Sequence, residues 1–207
     1  MVAPRRSSLL SKEARDSCKS RNRFARDSMA FRIAPGRQPY ACYKPKADKD
    51  AIIRWLAAHG PQEWHVAADI WNWDGGHDVL ALIMEQPECD RATCQMIFGR
   101  SEAYDHLTDP DRFRKANADP GGVFSMIRDM LTRWRQGFYT NGNFALPEDD
   151  LRGWTNSVLH YQLAVIDHHN RSPDLMLPND FIVLGYGQRI DPSFYWDRDL
   201  IPEALKP

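Results

Sequence analysis

The sequence predicts a mainly α-helical protein: a compact stack of short helices, then two longer helices, then an irregular C-terminal tail. Three observations carry that expectation. Apolar residues return at helical spacing in several segments between 48 and 169. Those segments open on Asp or Pro and close on Gly or Pro, the residues that start and stop helices. Strand-like composition is confined to short stretches near 137–146 and 181–184, which leaves room for one small β-hairpin.

The totals bound the answer further. A chain of 207 residues suits one domain with appendages and can bury a core without covalent staples. Its net charge of −1 and pI near 6.6 argue against a nucleic-acid binder, whose domain is usually basic. The charge is uneven. Residues 1–28 hold eight Lys or Arg against three Asp or Glu, so the rest of the chain carries a net charge of about −6. This first stretch reads as a disordered basic arm, and Met29 directly after it is an alternative start. Residues 29–46, with Pro35, Gly36, Pro39 and Pro45, read as a linker. A single helical domain is expected over 47–207. Four cysteines, at 18, 42, 89 and 94, are too few for a disulfide scaffold. No signal peptide and no membrane span are expected, so the chain reads as cytoplasmic with free thiols.

The elements follow in order. Asp48 offers a cap for a helix to about His59, with Ile52, Ile53, Trp55 and Leu56 inward and Gly60 as the stop. Pro61 opens a second helix that carries Trp64, Ala67, Ala68 and Trp71 and runs into Trp73 before Gly75-Gly76. A third covers about 77–86 and ends at Pro87; Asp90 caps a fourth that closes at Gly99. No fixed residue pattern repeats among these helices. Residues 104–122 are polar, with one helical turn expected. A stronger helix spans about 122–136. Asn141-Gly142 then suits a tight hairpin turn between Gly137-Phe138-Tyr139 and Phe144-Ala145-Leu146. Glu148-Asp149-Asp150 form the acidic first turn of the longest helix, which buries Leu151, Trp154, Val158, Tyr161, Val165 and Ile166 and ends near His169. Phe181-Ile182-Val183-Leu184 reads as a short strand. The tail 190–207 is expected to pack as coil through Phe194, Tyr195 and Trp196.

One segment concentrates turn-forming and aromatic residues: Trp71-Asn72-Trp73-Asp74-Gly75-Gly76. Local turn chemistry accounts for it. Asn and Asp bond nearby backbone, glycines accept positive φ, Asp74 caps the next helix, and the indoles fill space between helices. A recognition surface is the functional reading, because Trp and its polar neighbours are common binding anchors. Catalysis by Asp74 with His77 is the sharper alternative. Pro87-Glu88-Cys89-Asp90 reads as a helix stop, a buried thiol and a cap. Cys89 and Cys94 lie five apart, with His65 and His77 elsewhere, and such spacing is poor for zinc. Asp167-His168-His169 suits the negative end of a helix. Neither a Gly-x-Ser-x-Gly nucleophile turn nor a phosphate-cradling loop is found; Gly185-Tyr186-Gly187 lacks the third glycine and a lysine.

The central stretch resembles the bacterial domain-of-unknown-function family numbered 4274, over roughly residues 48–100. The matching residues are Asn72, Trp73, Asp74, Gly75, Pro87, Cys89, Asp90, Thr93, Ile97 and Phe98, with a weaker echo at Arg133-Trp134-Arg135-Gln136-Gly137-Phe138-Tyr139. Glu88, Cys94 and Gly99 depart from that pattern. The resemblance implies a small cytosolic helical protein and carries no established activity; some similar bacterial proteins accompany secreted toxins.

Together these readings favour a non-enzymatic protein-binding domain of the immunity type, covering a partner such as a toxin domain. Its binding residues are Trp71, Asn72, Trp73, Asp74, His77 and Asp90. No catalytic set, metal or cofactor is expected, and neither nucleic acid nor membrane as partner. The alternative is a hydrolase or transferase with a site at Asn72, Asp74, His77 and Asp90. That reading requires the four side chains to converge in a pocket with a shifted pKa. A third reading, a structural module of a larger assembly, makes the basic arm a tether.

Overall fold

In the computed structural model the described residues are 46–73, 76–119, 121–168, 173–185, 187–193, 202 and 205. The basic arm, most of the linker, His169 and the aromatic trio of the tail (Phe194, Tyr195, Trp196) lie outside them. The protein is mainly helical, as its sequence predicts. Among the described residues the helices are α1 (Lys46–Ala57), α2 (Pro61–Asp69), α3 (Asp78–Met84), α4 (Arg91–Arg100), α5 (Ala103–Thr108), α6 (Pro110–Ala118), α7 (Val123–Arg135), α8 (Glu148–His168) and α9 (Asn179–Ile182).

Local signals explain most of the boundaries. Pro61 sits in the first turn of α2, where its missing N–H costs nothing, and Glu63 reaches back to the Gly60 amide. Asp90 caps α4 as expected. α1 begins two residues ahead of the expected Asp48 cap. α2 stops at Asp69, short of Trp73, and α3 starts at Asp78 with His77, not Asp74, at its cap position.

Three expectations are corrected. The polar stretch 104–122 holds two helices, α5 and α6, instead of a single turn. Asp109 supplies the missing start signal: its carboxylate accepts from the amides of Asp111 and Arg112 at 2.9 and 3.2 Å, with Pro110 at the first helical position. The β-hairpin does not form. Tertiary partners take its backbone first, as the Asn141 carbonyl accepts from the Arg91 amide and the Asn143 amide donates to Asp90. Phe144 instead makes an isolated parallel bridge with Gln188. Gly187 permits that approach, since a Cβ there would lie 2.3 Å from the Asn143 carbonyl oxygen. The proposed strand at 181–184 is half helix: α9 ends at Ile182. Side chains, not a neighbouring strand, satisfy its carbonyls. Gln95 Nε2 donates to Phe181 O and Val183 O, and Trp154 Nε1 to Ile182 O.

The core gathers on α4 and α8, which pack together, with α5 lying along α8 and α2 against α4. Phe98 is its aromatic hub, in contact with Trp154, Tyr161 and Phe181 at ring separations of 6.1, 4.9 and 5.1 Å. Trp154, Val158, Tyr161 and Val165 of α8 are buried as expected, whereas Leu151 and Ile166, expected inside, are exposed.

Candidate functional site

Two turns flank the apolar run of α3, and the candidate residues divide between them. The first joins α2 to α3. Trp71 is buried, and its Nε1 donates to the Gly76 carbonyl at 2.9 Å, closing the loop on itself. The Gly76 amide returns a bond to Trp73 O at 3.1 Å, with Gly76 at φ 91°, a conformation other residues rarely adopt. Asn72 is exposed on this loop, and Trp73 and His77 are half-buried. Their rings meet at 5.6 Å. Trp73 packs partly on the core, yet its buried Nε1 finds no acceptor among the described residues. Asp74 and Gly75 lie outside the described residues.

His77 is shifted toward its neutral form. Burial lowers its pKa most; His106 and Lys49 push the same way, and Asp78 and Asp119 oppose them. Beneath it, Lys49 of α1 donates to both carboxylate oxygens of Asp78 at 2.7 and 2.8 Å. This buried pair fixes α1 to the start of α3.

The second turn leads into α4. Asp90 is fully buried. One carboxylate oxygen accepts from the Ala92 amide at 2.9 Å and the other from the Asn143 amide at 2.7 Å. Burial raises its pKa, while the amides of Ala92, Asn143 and Phe144 pull it down; the net direction is upward. Asn141 completes the joint by donating to Glu88 O at 2.6 Å. Asp90 is thus the peg on which the 141–144 segment hangs. These bonds run to backbone amides of α4 and of the 141–144 segment, not to the described residues of the 71–77 loop.

Several polar residues that organise this region carry no local signal in the sequence. His65 of α2 is buried with its Nδ1 2.9 Å from Thr93 Oγ1 on α4. Burial, helped by the charge of Arg100, lowers its pKa to about 4, so it is neutral near pH 7. Arg100 clasps three elements: it donates to Asp69 Oδ1 at 2.6 Å, to the Asp69 carbonyl, and to both oxygens of Asp150 at 2.8 and 2.6 Å. These partners lie 28 to 50 positions apart, so spacing along the chain could not reveal them. No group of three or more His, Cys, Asp or Glu that could hold a metal exists among the described residues. Nor, among those residues, is any helix long and apolar enough to cross a membrane.

Both turns sit inside a recognisable unit. Residues 59–128 match the model of the family described as Domain of unknown function (DUF4274). This stretch, about a third of the chain, is therefore a DUF4274 domain. It begins later than the expected 48 and runs beyond 100, taking in α2 to the first turns of α7. No curated protein and no solved structure matches the chain.

Proposed function

We propose that the chain is a non-enzymatic protein-binding domain, of the immunity type, that covers a toxin domain in the bacterial cytoplasm through its 71–77 loop. One observation carries the reading. Trp71 and Gly76 close the loop by themselves, and Asn72, Trp73 and His77 are left together at its surface, with the Trp73 indole N–H unanswered among the described residues. An unsatisfied buried donor costs about 1–3 kcal/mol, which an acceptor from a partner recovers once the loop opens around the indole on binding. A half-buried indole beside an exposed amide is also the composition of a binding anchor. The acidic balance of residues 29–207 supports capture of a basic partner, such as a nuclease toxin, by electrostatic steering. The enzymatic alternative loses ground because both oxygens of Asp90 are occupied by backbone amides.

The test begins with capture of partners from native-host lysate by the full chain, followed by reconstitution with the purified partner. Asn72→Ala and Trp73→Phe are expected to weaken that complex at least tenfold. Arg152→Ala, on the exposed face of α8, is expected to leave it intact. A partner whose toxic activity is suppressed at one-to-one stoichiometry completes the case. A partner bound equally well by all three variants refutes the assignment to this loop.

A further inference from the structure

Cys89 and Cys94 bracket the Asp90 cap. Cys89 is the residue just before the cap and Cys94 is the fourth residue of the helix. In many helices these two positions hold an apolar pair that fixes the angle at which the chain enters. Here both are thiols. Both are fully buried, and their sulfurs lie 3.7 Å apart without a bond between them. The Cys89 thiol also points at the Asp90 carbonyl, 3.7 Å away. Burial raises the pKa of Cys89 well above the usual thiol range, and the neighbouring Cys94 and Asp90 push it the same way. At rest the pair is an unreactive apolar contact.

We propose that this pair is a redox-sensitive staple: a hydroperoxide oxidises it to a Cys89–Cys94 disulfide that fixes the entry of α4 covalently. With hydrogen peroxide the chemistry balances in two steps. One sulfur, as thiolate, attacks the peroxide; the O–O bond breaks, a sulfenic acid forms and the first water leaves. The second sulfur then attacks the sulfenic sulfur; the S–S bond forms, the S–O bond breaks and the second water leaves. The two thiols lose two electrons and two protons, and one peroxide becomes two waters. A disulfide bond is about 2.05 Å long, so the sulfurs must close by about 1.7 Å from their 3.7 Å separation. The contact is already made by two side chains in the same turn of structure, so no element has to travel. What the staple secures is more than one helix end, because the Asp90 carboxylate between the two cysteines also holds the Asn143 amide. The same burial keeps the reaction slow.

The experiment uses the full chain with Cys18→Ser and Cys42→Ser, so that only the two staple thiols remain. The folded protein is treated with hydrogen peroxide and followed by intact mass, a non-reducing peptide map and thermal melting. The expected product has lost two hydrogens, carries a single 89–94 cross-link, melts at a higher temperature and reverts with dithiothreitol. A further Cys94→Ala exchange keeps an apolar residue at the staple position and should melt close to the parent, with no cross-link and no peroxide-induced shift. The proposal is overturned if both thiols stay free in the folded protein while the urea-unfolded chain oxidises. It is overturned equally if sulfinic or sulfonic acid accumulates without the cross-link, if the cross-link lowers the melting temperature, or if the Cys94→Ala protein shows the same shift.

Discussion

The two turns on either side of α3 are built from similar residues and come to opposite ends. The turn at 86–90 buries its aspartate completely and gives each carboxylate oxygen a backbone amide. The loop at 71–77 leaves its asparagine exposed and a tryptophan N–H without an acceptor among the described residues. The difference teaches where to look for function. A polar residue whose bonds are all made inside the fold contributes to stability, and its removal is felt everywhere. A donor whose bond is not made inside the fold, as with the Trp73 indole N–H, adds no such stability and remains available to an outside acceptor.

The largest effect is expected at Asp90. Asp90→Ala removes the cap of α4 and leaves the Asn143 amide without its acceptor in a part-buried bond. A lost cap costs about 1–2 kcal/mol and the lost bond to a part-buried amide about 1 kcal/mol, so about 2–3 kcal/mol is expected in urea unfolding. Asp90→Asn keeps one acceptor oxygen and should lose about half as much. A loss below about 1 kcal/mol for the alanine variant would remove Asp90 as the structural peg and reopen its candidacy as a site residue.

His65 sharpens the same side of the comparison through pH. Unfolded, its imidazole titrates near 6.5; folded, near 4. Between those values the unfolded chain takes up a proton that the native protein refuses. Stability therefore falls as pH drops from about 6.5 to about 4 and levels off below. The loss from this group approaches about 3 kcal/mol. Asp69 and Asp90, whose pKa values are raised on folding, act in the opposite sense, so the group is isolated by difference. Urea unfolding at pH 7, 5.5 and 4.5 should show the decline in the parent and a flatter profile in His65→Gln. His77→Gln, at the more open loop, should change the profile less. Equal profiles for the parent and His65→Gln would mean that His65 is not held neutral by the fold.

The same contrast explains what was legible in the sequence. The starts of α2, α4 and α8 could be read because Pro61, Asp90 and Glu148-Asp149-Asp150 act within one turn of where they stand. The Asp109-Pro110 signal was equally local but sits in a stretch too polar to show an apolar face. The hairpin failed for a different reason. Asn141-Gly142 favours a turn in isolation, but Asp90 and Arg91, about 50 residues earlier, claim the backbone on either side of it. The strand expected at 181–184 was lost in the same way to Gln95 and Trp154. The charge clasps at Arg100 and Lys49 could not be read at all, because neither partner marks the other along the chain. Of the candidate residues, composition located both turns but could not separate Trp71, tied to Gly76, from Trp73, whose N–H meets no acceptor among the described residues.

Those two tryptophans provide the smallest and most discriminating test. Both become phenylalanine, so each loses an indole N–H and some ring area. At Trp71 the N–H bonds Gly76 and holds the loop closed. Its loss leaves a buried carbonyl short of its donor, and about 1–2 kcal/mol of stability should go with it. At Trp73 the N–H has no acceptor among the described residues and the ring is half-buried. Removing a buried donor that makes no bond offsets the small loss of contact area, so stability should stay within about 0.5 kcal/mol of the parent. The ranking should invert for the partner complex. There Trp73→Phe should weaken binding by the loss of a direct contact, and Trp71→Phe only through loosening of the loop. If Trp73→Phe destabilises the fold as much as Trp71→Phe, the indole is a structural wedge like its neighbour, and the loop loses its strongest claim to be a binding surface.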